Sequence, residues 1–126
     1  MEPLFLFGLA SRHAQWSSVR QAAITGNIAN ANTPGYKAAD VEPFSSVLDK
    51  TRLSMARTAD LHMTPPGASA PSSKVEKGEG WDINHSGNTV RLEEQMLKAG
   101  EVNKAFTLNT NIVRSFHRML LMSVKS

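Results

Sequence analysis

The 126-residue chain contains no cysteine. That excludes structural disulfides and thiolate metal sites. It also means that nothing would need oxidising or reducing if the chain crossed a membrane unfolded. Aromatic residues make up only 6% of it, which limits the large anchors available to a compact core. No apolar run is long enough to span a bilayer. The opening stretch, Met1 to Ala10, is apolar but has Glu2 where a secretory signal has positive charge, and Ser11-Arg12-His13 turns polar at once. A cleaved signal peptide is not expected.

One-sided charge is also missing. The formal net charge is +3 and the isoelectric point is near 9.5, with Lys and Arg spread from Arg12 to Lys125 and no basic run of five. A nucleic-acid footprint would cluster such residues on one face. Catalytic constellations are absent as well. His13, His62, His85 and His117 form no close metal-ligand pair. Glu93 and Glu94 are adjacent and so point to different parts of a helix surface, while Asp40 and Glu42 have no evident partner. There is no nucleophile elbow, no phosphate-binding loop and no dinucleotide fingerprint. The chain reads as a non-enzyme with no cofactor and no metal.

What is present is helical periodicity at both ends, which predicts an all-α fold. From about Phe5 to Ala31, the residues Phe5, Leu9, Trp16, Val19 and Ala23 recur in heptad-like steps, widened by Ala22, Ile24 and Ile28. Asn30-Ala31-Asn32-Thr33-Pro34-Gly35-Tyr36 stops this helix, because Pro34 disfavours the α conformation at Thr33. Pro34 and Gly35 fit the centre of a type II turn. From about Thr89 to Val124 a second, longer helix is predicted, with Asn88 or Thr89 as its cap and Glu93 and Glu94 at the positive end of its dipole. Leu92, Met96, Ala99, Phe106, Val113, Leu120 and Val124 make its main stripe, and Val102, Ala105, Ile112, Phe116 and Met119 a neighbouring one. At about 1.5 Å per residue the helices would be roughly 40 and 54 Å long.

Between them, residues 37–87 show no sustained period. A short amphipathic turn is expected around Phe44, Val47, Leu48 and Leu53. The Pro- and Ser-rich stretch after Met63 cannot bury enough apolar surface to offset its ordering entropy, so Met63 to Gly80 is expected to be mobile, with Trp81-Asp82-Ile83 as a short strand or anchor. The chain thus divides into an N-terminal helix and turn (1–36), an extended, largely irregular, partly disordered linker (37–87) and a C-terminal helix (88–126). The two ends pair as one coiled-coil-like core. That pairing buries one stripe on each helix and leaves the second stripe of the longer helix without cover, which argues for oligomerisation. Trp16 and Phe106 fit equally an anchor between subunits and packing within the chain.

The run Asn27-Ile28-Ala29-Asn30-Ala31-Asn32-Thr33-Pro34-Gly35-Tyr36-Lys37 resembles the N-terminal signature of the flagellar rod and hook protein family. Ser86-Gly87-Asn88-Thr89-Val90, followed by Leu92, Glu93, Glu94, Gln95 and Met96, resembles the C-terminal element of its proximal-rod members. Arg57, Thr58 and His62 are similar to a weaker feature of the linker. The resemblance implies a non-enzymatic subunit of the proximal rod of the basal body. It would lie in the periplasm, polymerise head-to-tail to transmit torque for motility, and leave the cell through the flagellar type III export gate without a cleaved signal. Implied partners are further copies of the chain, rod proteins of the FlgC, FlgF and FlgG type, the junction protein FliE and the MS ring. Phe5 and Leu9 are similar to the short motif that engages the export gate. Expected assembly-seam residues are Trp16, Val19, Ala23, Phe106, Val113, Phe116 and Leu120. The alternative is a helical-hairpin adaptor or export chaperone, which would form a small complex of fixed stoichiometry instead of an open polymer.

Overall fold

The computed structural model describes residues 3–49, 75–77 and 85–125, with side chains from Phe5 onward. The element order is α1 (Pro3–Ala29), β1 (Ala39–Val41), α2 (Phe44–Asp49), β2 (Val75–Lys77) and α3 (Leu92–Val124). The fold is dominated by the two long terminal helices, as the periodicity predicts. The expected features at Leu53, at Arg57, Thr58 and His62, and at Trp81-Asp82-Ile83 lie outside the described residues, as does most of the Met63–Gly80 stretch.

α1 ends where its backbone donors and acceptors find local substitutes. The Asn30 amide nitrogen and its side-chain Nδ2 both donate to the Gly26 carbonyl, at 3.1 and 2.8 Å, and Thr33 N–H donates to the Asn30 carbonyl at 3.0 Å. Tyr36 N–H then donates to the Thr33 carbonyl at 3.3 Å around Pro34 and Gly35, with Gly35 at φ +73°. Those features fit a type II turn, in which the third residue needs the left-handed region that glycine enters without penalty.

α1 and α3 lie antiparallel. Near one end of the pair Asn27 meets Gln95; further along, Asn109 Nδ2 donates to the Ala10 carbonyl at 3.0 Å; near the other end the Phe7 and Phe116 rings meet edge to face at 5.6 Å. The buried lines are Ala10, Ser17 and Ile24 on α1 and Gln95 and Val102 on α3. This differs from the expected pairing. The face of α3 turned toward α1 takes Val102, Ala105 and Phe116 from the neighbouring stripe and, further along, Val113 and Leu120 from the main one; Val102 is buried and the others half-buried, whereas Ile112 and Met119 are exposed. Most of the main stripe is left outside, with Leu92, Met96, Phe106 and Val124 exposed. The reason is steric and polar together. The small Ala10 and Ser17 let the helices approach, and Gln95 and Asn109 on the chosen face have hydrogen-bond partners on α1 or its helix end.

The start of α3 also differs. Asn88 and Thr89, expected as caps, lie before the helix. Its N-cap is Arg91, whose side chain makes no capping hydrogen bond. The two expected caps are occupied by the turn after α1. Glu93 and Glu94 do fall in the first turn of the helix, where the dipole favours them.

The described part of the linker is ordered against α1. β1 and β2 pair antiparallel, with Ala39 opposite Lys77, Asp40 opposite Glu76 and Val41 opposite Val75. Val75–Lys77, expected in a mobile stretch, is therefore a strand, paired along one edge with β1 and with its side chains exposed. In the short helix α2, Ser46 and Val47 donate to the Pro43 carbonyl. Trp16, Val41 and Val47 form a small buried cluster flanked by Ala23 and Phe44.

Candidate assembly interface

Two features are built on this frame: a polar clasp where the helices meet the turns, and long apolar flanks on α3. The clasp gathers most of the motif residues. Asn27, 1% exposed, sits in the last turns of α1. Its Nδ2 donates to the Ala39 carbonyl at 2.7 Å and to Gln95 Oε1 at 2.9 Å, while its Oδ1 accepts the Ala39 N–H at 2.9 Å. One side chain thus joins α1, β1 and α3.

Asn88 does the same for the turn. Its Nδ2 lies 2.9, 2.9 and 2.8 Å from the carbonyls of Asn30, Ala31 and Thr33, and its Oδ1 accepts the Val90 N–H at 2.7 Å. Helix-end carbonyls have no partner further along their helix. Asn88 supplies one from across the fold. The backbone completes the join: Gly35 N–H donates to the Ser86 carbonyl at 2.8 Å and Thr89 N–H to the Tyr36 carbonyl at 3.1 Å. Thr89 Oγ1 accepts from the Ala38 N–H at 2.9 Å. Gly87, at φ +75°, lies against Gly35; a Cβ there would stand 3.6 Å from the Gly35 Cα. Thr33 Oγ1 lies 3.2 Å from Asn30 Oδ1. Pro34 is exposed, Tyr36 half-buried, and Val90 buried.

A charged link runs beside the clasp. Asp40 lies 3.0 Å from Lys98 Nζ and 3.4 Å from Arg20 Nε, and Lys98 also lies 2.8 Å from Glu94. Burial alone would raise the Asp40 carboxyl, but the hydrogen bonds from Lys98 and the Val41 N–H and the charges of Lys98 and Arg20 outweigh it and hold it below the ordinary carboxylate range. For Lys98, burial pulls down, while hydrogen bonds and charge from Glu94 and Asp40 raise it above its ordinary value.

Trp16, for which packing within the chain and between subunits stood level, is 8% exposed and packs within the chain. Its indole N–H donates to the Glu42 carbonyl at 2.7 Å, its ring lies near those of His13 and Phe44, and Arg20 sits 5.4 Å from its centroid. Of the other expected seam residues, Ala23, Val113, Phe116 and Leu120 are half-buried, and Val19 and Phe106 are exposed. Phe5 is exposed and Leu9 half-buried on the same side of α1, one turn apart.

The apolar residues of α3 that α1 does not cover fall on two flanks. Helical spacing puts Leu92, Met96 and Phe106 on one, and Leu97, Leu108, Ile112 and Met119 on the other; these seven are between 46% and 72% exposed. Among the described residues no group of three or more His, Asp or Glu is placed to hold a metal, and no helix is long and apolar enough to cross a membrane.

The motif reading named Asn27, Asn30, Thr33, Gly35, Tyr36, Gly87, Asn88 and Val90, but not Gln95's tie to Asn27 or the pairing of Asp40 with Lys98 and Arg20. A trace of Gln95 was legible: it stands seven residues before Val102, polar on an otherwise apolar stripe. Nothing in the sequence points to the partners of Asp40.

Comparison with known proteins gives a consistent answer. Residues 14–37 match the family model described as "Flagella basal body rod protein". The chain is 45% identical over 132 residues to a flagellar basal body rod protein FlgB of Agrobacterium fabrum (strain C58 / ATCC 33970), covering 99% of this chain and 96% of that one. It is 31% identical over 87 residues to a flagellar basal body rod protein FlgB of Bacillus subtilis (strain 168), covering 68% of this chain and 66% of that one.

Proposed function

The chain belongs to the FlgB family of flagellar basal body rod proteins and is a structural subunit of the proximal rod, and we propose that the two apolar flanks of α3 are the surfaces by which it packs into that tube. It is not an enzyme, and it assembles with other components of the rod. The observation that supports the packing surfaces is the exposure of Leu92, Met96 and Phe106 on one flank and Leu97, Leu108, Ile112 and Met119 on the other. A monomer gains nothing by showing so much apolar surface, and contiguous patches of this kind mark interaction sites. Two flanks per helix suit a subunit with a neighbour on each side, a heterologous arrangement that stays open instead of closing into a dimer.

In this reading the clasp fixes the relation of the two helices and of the β1–α2 segment, and the flanks do the joining. Of the expected seam residues, Val19 and Phe106 are available to a neighbour, whereas Trp16 serves the chain's own core. The polymer transmits torque through interlocked helices, without chemistry. Its partners are further copies, rod proteins of the FlgC, FlgF and FlgG type, FliE and the MS ring, on the periplasmic side of the inner membrane. Phe5 and Leu9 meet the type III export gate before assembly, and no signal peptide is removed.

Deleting the gene and imaging isolated basal bodies tests the role. Rods missing beyond the MS ring, and restored with motility by the gene in trans, are expected. Intact rods and normal swimming in the deletion strain would overturn it and favour an adaptor.

A further inference from the structure

The hairpin sorts its charge along its length. α1 contains Arg12 and Arg20 and no Asp or Glu, and no carboxylate follows Glu101 in α3. Since the helices run antiparallel, the start of α1 and the end of α3 form one tip. The acid nearest this tip in sequence, Glu2, lies outside the described residues. Arg114, Arg118, Leu121 and Lys125 recur at four- and three-residue steps, so they share one face near the end of α3, and all four are exposed. Leu121 is 54% and the adjoining Met122 62% exposed. This face points away from the stripe that packs on α1.

A row of cations alone would be an ordinary solvated face. Here apolar side chains stand between the cations, and water gains nothing by solvating those. At the other end of the hairpin acids and bases are mixed, and Asp40 and Glu94 are already engaged by Arg20 and Lys98. The clasp end of a second copy is therefore a poor complement. A lipid surface fits less well too, because a membrane-binding helix keeps its cations off the apolar face that enters the acyl region.

Resting on the rod-subunit reading, we infer that the tip face of Arg114, Arg118, Leu121 and Lys125 docks on a different protein, at a surface that pairs carboxylates with an apolar groove. Charge complementarity names the chemistry of that partner: acidic, with room for a leucine between its carboxylates.

The absence of other chemistry at this face makes the test direct. R114K and R118K variants keep the charge and supply amines, and a carbodiimide joins amines to carboxylates only when they touch. The gene deletion strain carrying either variant is expected to swim, and its isolated basal bodies, treated with carbodiimide, to show amide cross-links from positions 114, 118 and 125 to Asp or Glu of another protein. R114E/R118E is expected to reduce rod-bearing basal bodies at least tenfold while leaving the purified chain's helix content unchanged. Cross-links only to Glu93, Glu94 or Glu101 of a second copy would overturn the inference in favour of self-stacking. No cross-links at all, normal swimming of R114E/R118E, or salt-sensitive binding of the purified chain to phosphatidylglycerol vesicles that R114E/R118E abolishes would overturn it as well. Each of these leaves the rod role standing; a chain missing from isolated basal bodies, or intact rods in the deletion strain, would remove that premise.

Discussion

Replacing Asn88 by alanine tests whether the clasp holds the two helices together. The side chain is 1% exposed, and its two Nδ2 hydrogens serve the carbonyls of Asn30, Ala31 and Thr33. Two of those carbonyls keep a backbone donor, since Thr33 N–H reaches Asn30 and Tyr36 N–H reaches Thr33. Two hydrogen bonds from Nδ2 contribute about 0.5–1.5 kcal/mol each net, and the Val90 N–H, which donates to Asn88 Oδ1, would be left unpaired and buried at about 1–3 kcal/mol. The expected loss is therefore about 2–6 kcal/mol, a large share of the roughly 5–15 kcal/mol that holds a typical domain. The assay is helicity at 222 nm followed through a titration with trimethylamine N-oxide, then urea, for both proteins. N88D should cost at least as much, because it removes two donors and sets a carboxylate against three carbonyl oxygens. A loss below about 0.5 kcal/mol for N88A, within the range of a plain surface change, would refute the clasp as a structural joint.

Four further outcomes are expected. G87A should lose about 1–2 kcal/mol by backbone strain at φ +75°, and not by crowding, as read from the same titration. Asp40 is held low when folded, so its contribution is present above the unfolded carboxylate pKa and lost as pH falls through the lower folded value. D40N should thus weaken the fold at neutral pH and flatten its loss of stability in acid, by ~1 kcal/mol or less given the exposure of the pair, in melts compared at pH 7 and pH 3. W16A should lower the purified chain's stability by about 3–5 kcal/mol, whereas F106D should leave it nearly unchanged and block rod assembly in motility plates. The purified chain in dilute solution should show less helicity than the assembled rod, since few apolar side chains are buried within one chain; full cooperative helicity of the monomer in circular dichroism would refute this.

Helix existence was legible because heptad spacing over this many residues has no other stable reading, and the stop at Pro34 and Gly35 follows from backbone sterics alone. Which stripe of α3 meets α1 was not legible. Counting apolar residues favours Leu92, Met96 and Phe106. The structure instead uses a stripe containing Gln95 and Asn109, because their partners, the Asn27 side chain and the Ala10 carbonyl, lie on α1. Apolar periodicity cannot register a polar side chain whose partner lies 68 residues away. The same limit explains Asn88. Next to a helix start, Asn reads as a cap; here its partners are carbonyls from 55 to 58 residues earlier.

The clasp and the flanks therefore do opposite work with the same helices. At the clasp, buried polar groups each have a specified partner, and a shift of one residue along either helix would leave several of them unpaired. That end sets register. Along the flanks of α3, apolar side chains tolerate sliding and stay exposed, so those surfaces can adapt to whatever lies beside them. A rod needs both properties in each subunit, because torque passes only if the helix pair is rigid, and a tube forms only if its surfaces accept neighbours that differ from one position to the next. Exchanging the properties is the sharpest test of this division. Asn27→Leu with Gln95→Leu would replace the polar tie by a plain apolar contact; it should keep helicity yet leave the Ala39 backbone N–H without its acceptor, loosen β1, and give rods that form but break under load. Swimming in viscous medium as fast as the unaltered strain would show that register needs no polar tie.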